Sequence, residues 1–262
     1  MGDRVVIGGH PTWIEVRGAG RETVVLLHGG VSNSDVLLDA LSAPLEEQHY
    51  RVVAFDRRGH GYTADTDAPF HYEDMATETI GVLEDVVGGP AHLVGWSDGG
   101  IVSLHVALRR PDLVDRIVAI GTNFHYDGIM PIDIDPDSPL ASRLVEAYAE
   151  RSPDGAEHFG AMFDKFMTMA TTEPTYTVDD VARIAAPTLV LVGDDDLIRL
   201  SHTAALYEAL PAGQLAVVPA ASHVLPLERP AETARIIVDF LAADVPPSTL
   251  MPARRAGPMP AP

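Results

Sequence analysis

Residues 91–100 read Ala91-His92-Leu93-Val94-Gly95-Trp96-Ser97-Asp98-Gly99-Gly100, and a helical stretch follows to Arg110, where Pro111 breaks it. The Gly-x-Ser-x-Gly pattern occurs by chance in many chains. Its meaning here comes from its place between a short apolar strand and a helix. A sharp strand-to-helix turn forces the residue at its apex into strained backbone geometry and exposes its hydroxyl above the sheet. Gly95 and Gly99 are required because side chains there would collide with the neighbouring strand and helix. The helix that follows directs its positive end at the same point. Ser97 is therefore the candidate nucleophile.

Working outward, apolar runs alternate with amphipathic stretches. Residues 5–7 and 13–16, separated by Gly and Pro, read as an opening hairpin. Compact strand-like runs follow at 24–27, 51–55, 91–94, 116–120, 188–192 and 215–218. Helical spacing is found at 35–48, at 72–87 with Met75, Ile80, Leu83 and Val87 on one side, at 200–210 and at 229–242. Gly88-Gly89-Pro90 stops the second of these helices, and Pro230 stands in the first turn of the last. Strand alternating with helix predicts an α/β fold with a mostly parallel central sheet and helices on both faces. Active sites in such sheets lie beyond the carboxyl ends of the strands, where the polar punctuation of this chain falls.

Residues 125–185 break the alternation. They hold no strand of the core type, carry prolines at 131, 136, 139, 153 and 174, and have helical stretches near 141–150 and 156–169. An insertion of this length inside a compact domain is usually functional, so a helical lid is expected. The domain reading is thus an α/β core at 1–124 and 186–243, the lid at 125–185, and a Pro-rich, disordered tail at 244–262. Met162, Phe163 and Phe166 belong to a Met- and Phe-rich face of the insertion, which is expected to form an adaptable wall of the substrate pocket.

A serine hydroxyl needs a base. Downstream of Ser97 the histidines are His105, His125, His158, His202 and His223. Only His223 follows the last strand, in a loop able to reach back over the sheet end. The acid that orients it should follow the preceding strand, where Gly193 is succeeded by Asp194, Asp195 and Asp196. Asp196 is assigned that role, with Asp195 second. An oxyanion would be held by the backbone N–H of Asp98, the residue after the nucleophile, and of Gly30, in the loop after the 24–27 strand. His28 braces that loop.

The 262 residues carry a formal net charge of −20, 46% hydrophobic and 21% charged residues, and no cysteine. No basic patch suited to nucleic acid is seen, and an anionic membrane surface is disfavoured by the same charge. Disulfides, thiolate zinc sites and cysteine nucleophiles are excluded. The start of the chain lacks a signal-peptide apolar region, and no stretch approaches the roughly 18 apolar residues of a membrane helix. A cytoplasmic protein acting on a small molecule, without nucleic acid or membrane as partner, is expected.

Residues 5–243 resemble the α/β-hydrolase superfamily. The resemblance is carried by His28-Gly29-Gly30, Asp56-Arg57-Arg58-Gly59-His60-Gly61, Gly95-Trp96-Ser97-Asp98-Gly99-Gly100, Gly193-x-x-Asp196 and Ser222-His223. The Gly-Trp-Ser-Asp-Gly-Gly form is similar to the valacyclovir hydrolase (biphenyl hydrolase-like) group, whose members cleave esters, amino-acid esters among them. The resemblance implies that Asp98 holds a substrate amine. Epoxide hydrolases and haloalkane dehalogenases of this fold place an aspartate where this chain has Ser97. The expected activity is cofactor-free and metal-free hydrolysis of a carboxylic ester, with Trp96 and Asp98 lining the pocket. Acyl transfer, perhydrolysis, lyase chemistry and ligand reception are the competing uses of the same scaffold, since fold alone does not set function.

Overall fold

The long apolar runs of the sequence become strands buried on both faces, as parallel sheets require. In the computed structural model, which describes residues 2–131, 139–243 and 249–252, the elements alternate as expected. They are β1 (Asp3–Ile7), β2 (His10–Arg17), β3 (Thr23–Leu27), α1 (Asp35–Glu47), β4 (Arg51–Phe55), α2 (Tyr72–Val82), β5 (Ala91–Trp96), α3 (Asp98–Arg109) and β6 (Val114–Ile120), then α4 (Pro139–Ala149), α5 (Phe159–Ala170), α6 (Val178–Val181), β7 (Thr188–Asp195), α7 (Leu200–Ala209), β8 (Gly213–Ser222), α8 (Leu225–Glu228) and α9 (Pro230–Ala242).

One eight-stranded sheet forms among the described residues, in the order β1-β2-β4-β3-β5-β6-β7-β8. The β1–β2 and β2–β4 pairs are antiparallel and all later pairs are parallel. Strand alternation divides the core. Val25 and Leu27 face one cluster with α2 and α3, whereas Val24 and Leu26 face the other with α1 and α9. After β3 the chain goes to β4 on one side and then to β5 on the other. The loops leaving β3 and β5 therefore part at the strand ends and open a crevice there, the usual ligand position of such sheets.

The helical spacing read over 72–87 splits into α2 and a five-residue π-turn, Leu83–Val87, closed by Gly88 at φ 83°. The short helices α6 and α8 were not anticipated, because four residues give too little periodicity. The described part of the insertion, 125–131 and 139–185, is no separate body, and 132–138 lie outside the described residues. Tyr148, Met162, Met169, Val181 and Ile184 join the same apolar cluster as the residues of α2 and α3. No helix among the described residues is long and apolar enough to cross a membrane. Of the expected tail, only residues 249–252 are described; 244–248 and 253–262 lie outside the described residues.

Candidate active site

Ser97 stands at the junction of β5 and α3 with φ 54° and ψ −117°, a conformation that an L-residue adopts only under constraint. The constraint is visible in its neighbours. A Cβ on Gly95 would lie 2.2 Å from the Gly99 carbonyl oxygen, and one on Gly99 would lie 1.9 Å from that of Leu27. The elbow is thus wedged between its own helix and β3, as expected. The Ser97 N–H donates to Ile120 O at 2.8 Å, and its carbonyl accepts from Gly100 and Ile101.

The other candidates converge on it. His223, just beyond β8, approaches Ser97 Oγ through Nε2 at 2.9 Å and Asp196 Oδ1 through Nδ1 at 2.8 Å. Asp196 is buried and also accepts the Ile198 N–H at 2.9 Å. Because Asp196 accepts at Nδ1, the neutral imidazole carries its proton there, and the Nε2 lone pair faces the serine hydroxyl. The second choice, Asp195, is exposed at the β7–β8 edge, and Asp194 accepts the Ala221 N–H at 3.3 Å. Sequence reasoning missed Gly121. Any side chain there would press within about 3 Å of both the His223 ring and the Asp196 carboxylate, and its position just after β6 was the available signal.

His28-Gly29-Gly30 follows β3. His28 Nε2 accepts the Arg57 N–H at 3.1 Å, so Nδ1 is the protonated nitrogen and donates to Gly29 O at 2.7 Å. Burial, reinforced by the adjacent Arg57 charge, holds the His28 pKa well below the usual range and keeps the ring neutral. Gly30 packs so tightly that a Cβ would meet Phe166 at 2.3 Å and Asp98 Oδ2 at 2.7 Å. Asp98 opens α3, where an N–H has no acceptor within the helix.

Asp98 is buried and its Oδ1 accepts the Tyr72 hydroxyl at 2.8 Å, while Oδ2 has no hydrogen-bond partner among the described residues. Burial pushes the carboxyl pKa up, and the Arg57 charge and the Tyr72 hydroxyl oppose that push.

Above Ser97 and His223 lies a cavity of about 590 Å³ walled by Trp96, Phe163, Phe166, Met167, Ile198 and Val224, with Asp98 also on its surface. Trp96 both lines it and braces the site, since its indole N–H donates to His223 O at 2.8 Å. Phe163 and Phe166 stand where the sequence placed them. Met162 does not: it is fully buried in the core beneath α5 and is absent from the cavity wall. Both stripes of α5 are apolar, so its periodicity did not tell which one faced the body. Asn123, Tyr126 and Ile129, after β6, complete the wall and were not anticipated.

The insertion is tied to the body by polar contacts. Asp65 accepts from Lys165 at 2.7 Å and pairs with His158 at 2.9 Å, and Arg151 reaches Asp35 at 2.9 Å. Tyr176 hydrogen-bonds His105 on α3 at 2.8 Å.

The chain belongs to the α/β hydrolase family, whose model matches residues 24–236. It is 30% identical to a 2-hydroxy-6-oxo-2,4-heptadienoate hydrolase of Pseudomonas putida, over 93% of this chain and 97% of that protein. It is 24% identical to the mouse serine hydrolase BPHL, over 91% and 85% respectively, so the likeness to the biphenyl hydrolase-like group extends beyond the motif. Among solved structures it superposes on the meta-cleavage product hydrolase CumD of Pseudomonas fluorescens IP01 with a TM-score of 0.78, at 22% identity, covering 92% of this chain and 97% of that one. The protein is a hydrolase of this fold.

Proposed function

We propose that this chain is a serine hydrolase that cleaves a carboxylic ester, or a related acyl bond, of a small and mostly apolar molecule through an acyl-enzyme. The observation that carries the reading is the unbroken hydrogen-bonded series Asp196–His223–Ser97 at the floor of an apolar cavity. Ser97 Oγ attacks the carbonyl as His223 Nε2 takes its proton. Asp196 remains ionised, holds the imidazole in its tautomer and stabilises the imidazolium. The N–H groups of Gly30 and Asp98 hold the oxyanion. His223 then gives its proton to the leaving alcohol and afterwards activates the water that releases the acid. Every one of these steps draws on the chain's own groups. Residues 125–185 serve as a lid whose Phe163 and Phe166 shape the acyl pocket.

The carboxylate of Asp98 narrows the substrate class. Beside the nucleophile, the Asp98 Oδ2 that has no hydrogen-bond partner among the described residues favours a substrate that carries an amine near the reacting carbonyl. That favours esters over the dienoate named for the Pseudomonas putida relative, although carbon–carbon bond hydrolysis employs the same machinery. The test is turnover of p-nitrophenyl esters from acetate to decanoate, of amino-acid esters and of a 2-hydroxy-6-oxo-dienoate, by wild type and Ser97→Ala. Turnover of short or medium esters that falls by about 10⁶ in Ser97→Ala is expected. A wild-type protein no faster than Ser97→Ala on every ester overturns the reading. Preference for amino-acid esters assigns Asp98 the amine.

A further inference from the structure

The site has a feature that the transfer of protons does not use: a fully buried arginine behind the oxyanion loop. Arg57 has no exposed surface. Its Nη2 donates to Gly29 O at 3.2 Å, and its backbone N–H donates to His28 Nε2 at 3.1 Å. Gly29 O is therefore gripped by two donors from within the protein, Arg57 Nη2 and the His28 Nδ1–H. The peptide joining Gly29 to Gly30 is trans, the chain's cis bond among the described residues being Glu173–Pro174. Across a trans peptide the carbonyl and the following N–H point in opposite directions. A Gly29 carbonyl turned inward thus turns the Gly30 N–H the opposite way, out of the protein's interior; Gly30 itself packs so close to Asp98 that a Cβ there would lie 2.7 Å from Asp98 Oδ2.

A second property points the same way. One oxyanion donor is the N–H of Asp98, and the Asp98 carboxylate would oppose a negative charge growing beside it. Arg57 is the main cation acting on Asp98, and Asp98 is the strongest of the charges acting on Arg57. Arg57 Nε and Nη1 are buried and have no hydrogen-bond partner among the described residues, so this coupling is one of charge in a dry interior, where it is felt more strongly than in water. The adjacent Arg58 does neither job. Its guanidinium reaches outward to Thr66, Ala68 and Pro69.

We propose that Arg57 is a positioning residue of the oxyanion pocket: it fixes the Gly29 carbonyl so that the Gly30 N–H is aimed at the oxyanion, and it offsets the Asp98 charge there. The inference rests on the hydrolase reading above. Its effect falls on the transition state and not on substrate binding, which sets it apart from a merely structural role.

The experiment compares wild type, Arg57→Met and Arg57→Lys on p-nitrophenyl butyrate, with phenylboronic acid as a probe that adds to Ser97 and places an oxygen in the oxyanion pocket. Losing one oxyanion donor costs on the order of 10²–10³ in rate. Arg57→Met is expected to lose about 10²-fold in kcat with KM within about twofold. Arg57→Lys keeps the charge but not the planar fork, so it is expected to lose about tenfold. It also carries the test if the methionine variant does not fold. Boronate affinity should weaken by the same factor as kcat/KM in each. Folded variants with unchanged kcat, or with boronate affinity unchanged while kcat falls, overturn the proposal. Wild-type protein that turns over the ester only through Ser97 keeps the hydrolase reading intact in that case. Wild type that neither hydrolyses the ester nor binds the boronate overturns both.

Discussion

The elbow at Ser97 and the helix α5 above it face the same cavity but are built on different principles. Backbone holds the elbow. Gly95 and Gly99 touch main-chain carbonyls, and the serine sits at φ 54° because nothing around it can yield. Side chains hold α5: Met162 and Met169 are sunk in the core, Phe163 and Phe166 face the cavity, and Lys165 with His158 grips Asp65. The first arrangement admits almost no substitution. The second can be rewritten residue by residue, which is how one scaffold carries a fixed chemistry under a changeable specificity.

The sharpest break of this contrast lies on the chemical side. Asp196→Asn keeps the shape of the acid but favours the wrong imidazole tautomer, and kcat is expected to fall by about 10⁴. Asp195→Asn, one residue away and exposed, should leave kcat within about twofold. Steady-state kinetics on one ester decide the assignment, and equal losses in the two variants would return Asp195 to contention.

The next effect separates the two stripes of α5. Met162→Ala removes a fully buried side chain and is expected to cost about 2–5 kcal/mol of stability by denaturant unfolding, with the ester chain-length preference unchanged. Phe166→Ala opens the cavity beside Gly30 and should move that preference toward longer acyl chains, at a smaller cost in stability because Phe166 is only partly buried. If Met162→Ala shifts the preference instead, the described wall is wrong.

The smallest effect sits on the seam between the two regions, where His105 of α3 meets Tyr176 of the insertion. Burial lowers His105 to about 4, with the nearby Arg109 charge adding to it. In the unfolded chain the same histidine takes a proton near 6.5. Between about pH 6.5 and 4 the unfolded state therefore binds more protons, and stability declines as pH falls through that window. His105→Gln removes this contribution. The drop in Tm from pH 7 to 4.5 should shrink by a few degrees relative to wild type, and an unchanged drop would show that His105 does not titrate across the seam as described.

Much of this was legible beforehand, for a physical reason that differs by element. The strands 24–27, 51–55 and 91–94 are continuous apolar runs, and each forms a strand there, because a doubly covered sheet demands such runs. Ser97, Asp196 and His223 were readable since each stands just past a strand end, in chain order. The placement of β4 between β2 and β3 was not readable, since strand order leaves no local mark. Met162 was misjudged because α5 carries two apolar stripes, and periodicity alone does not say which of them faces the body. Arg57 and Arg58 are chemically identical neighbours in the sequence. Only the fold buries one and sends the other to the rim.

Lys165 has a practical consequence. It is the one lysine in the sequence, and it lies on α5 between two residues of the cavity wall, Phe163 and Phe166. An amine-directed dye or surface-coupling reagent thus finds a single side-chain target, held against Asp65. Attachment there neutralises that grip and sets a reporter on the helix that lines the cavity, so labelling chemistry on this protein is also a perturbation of that helix.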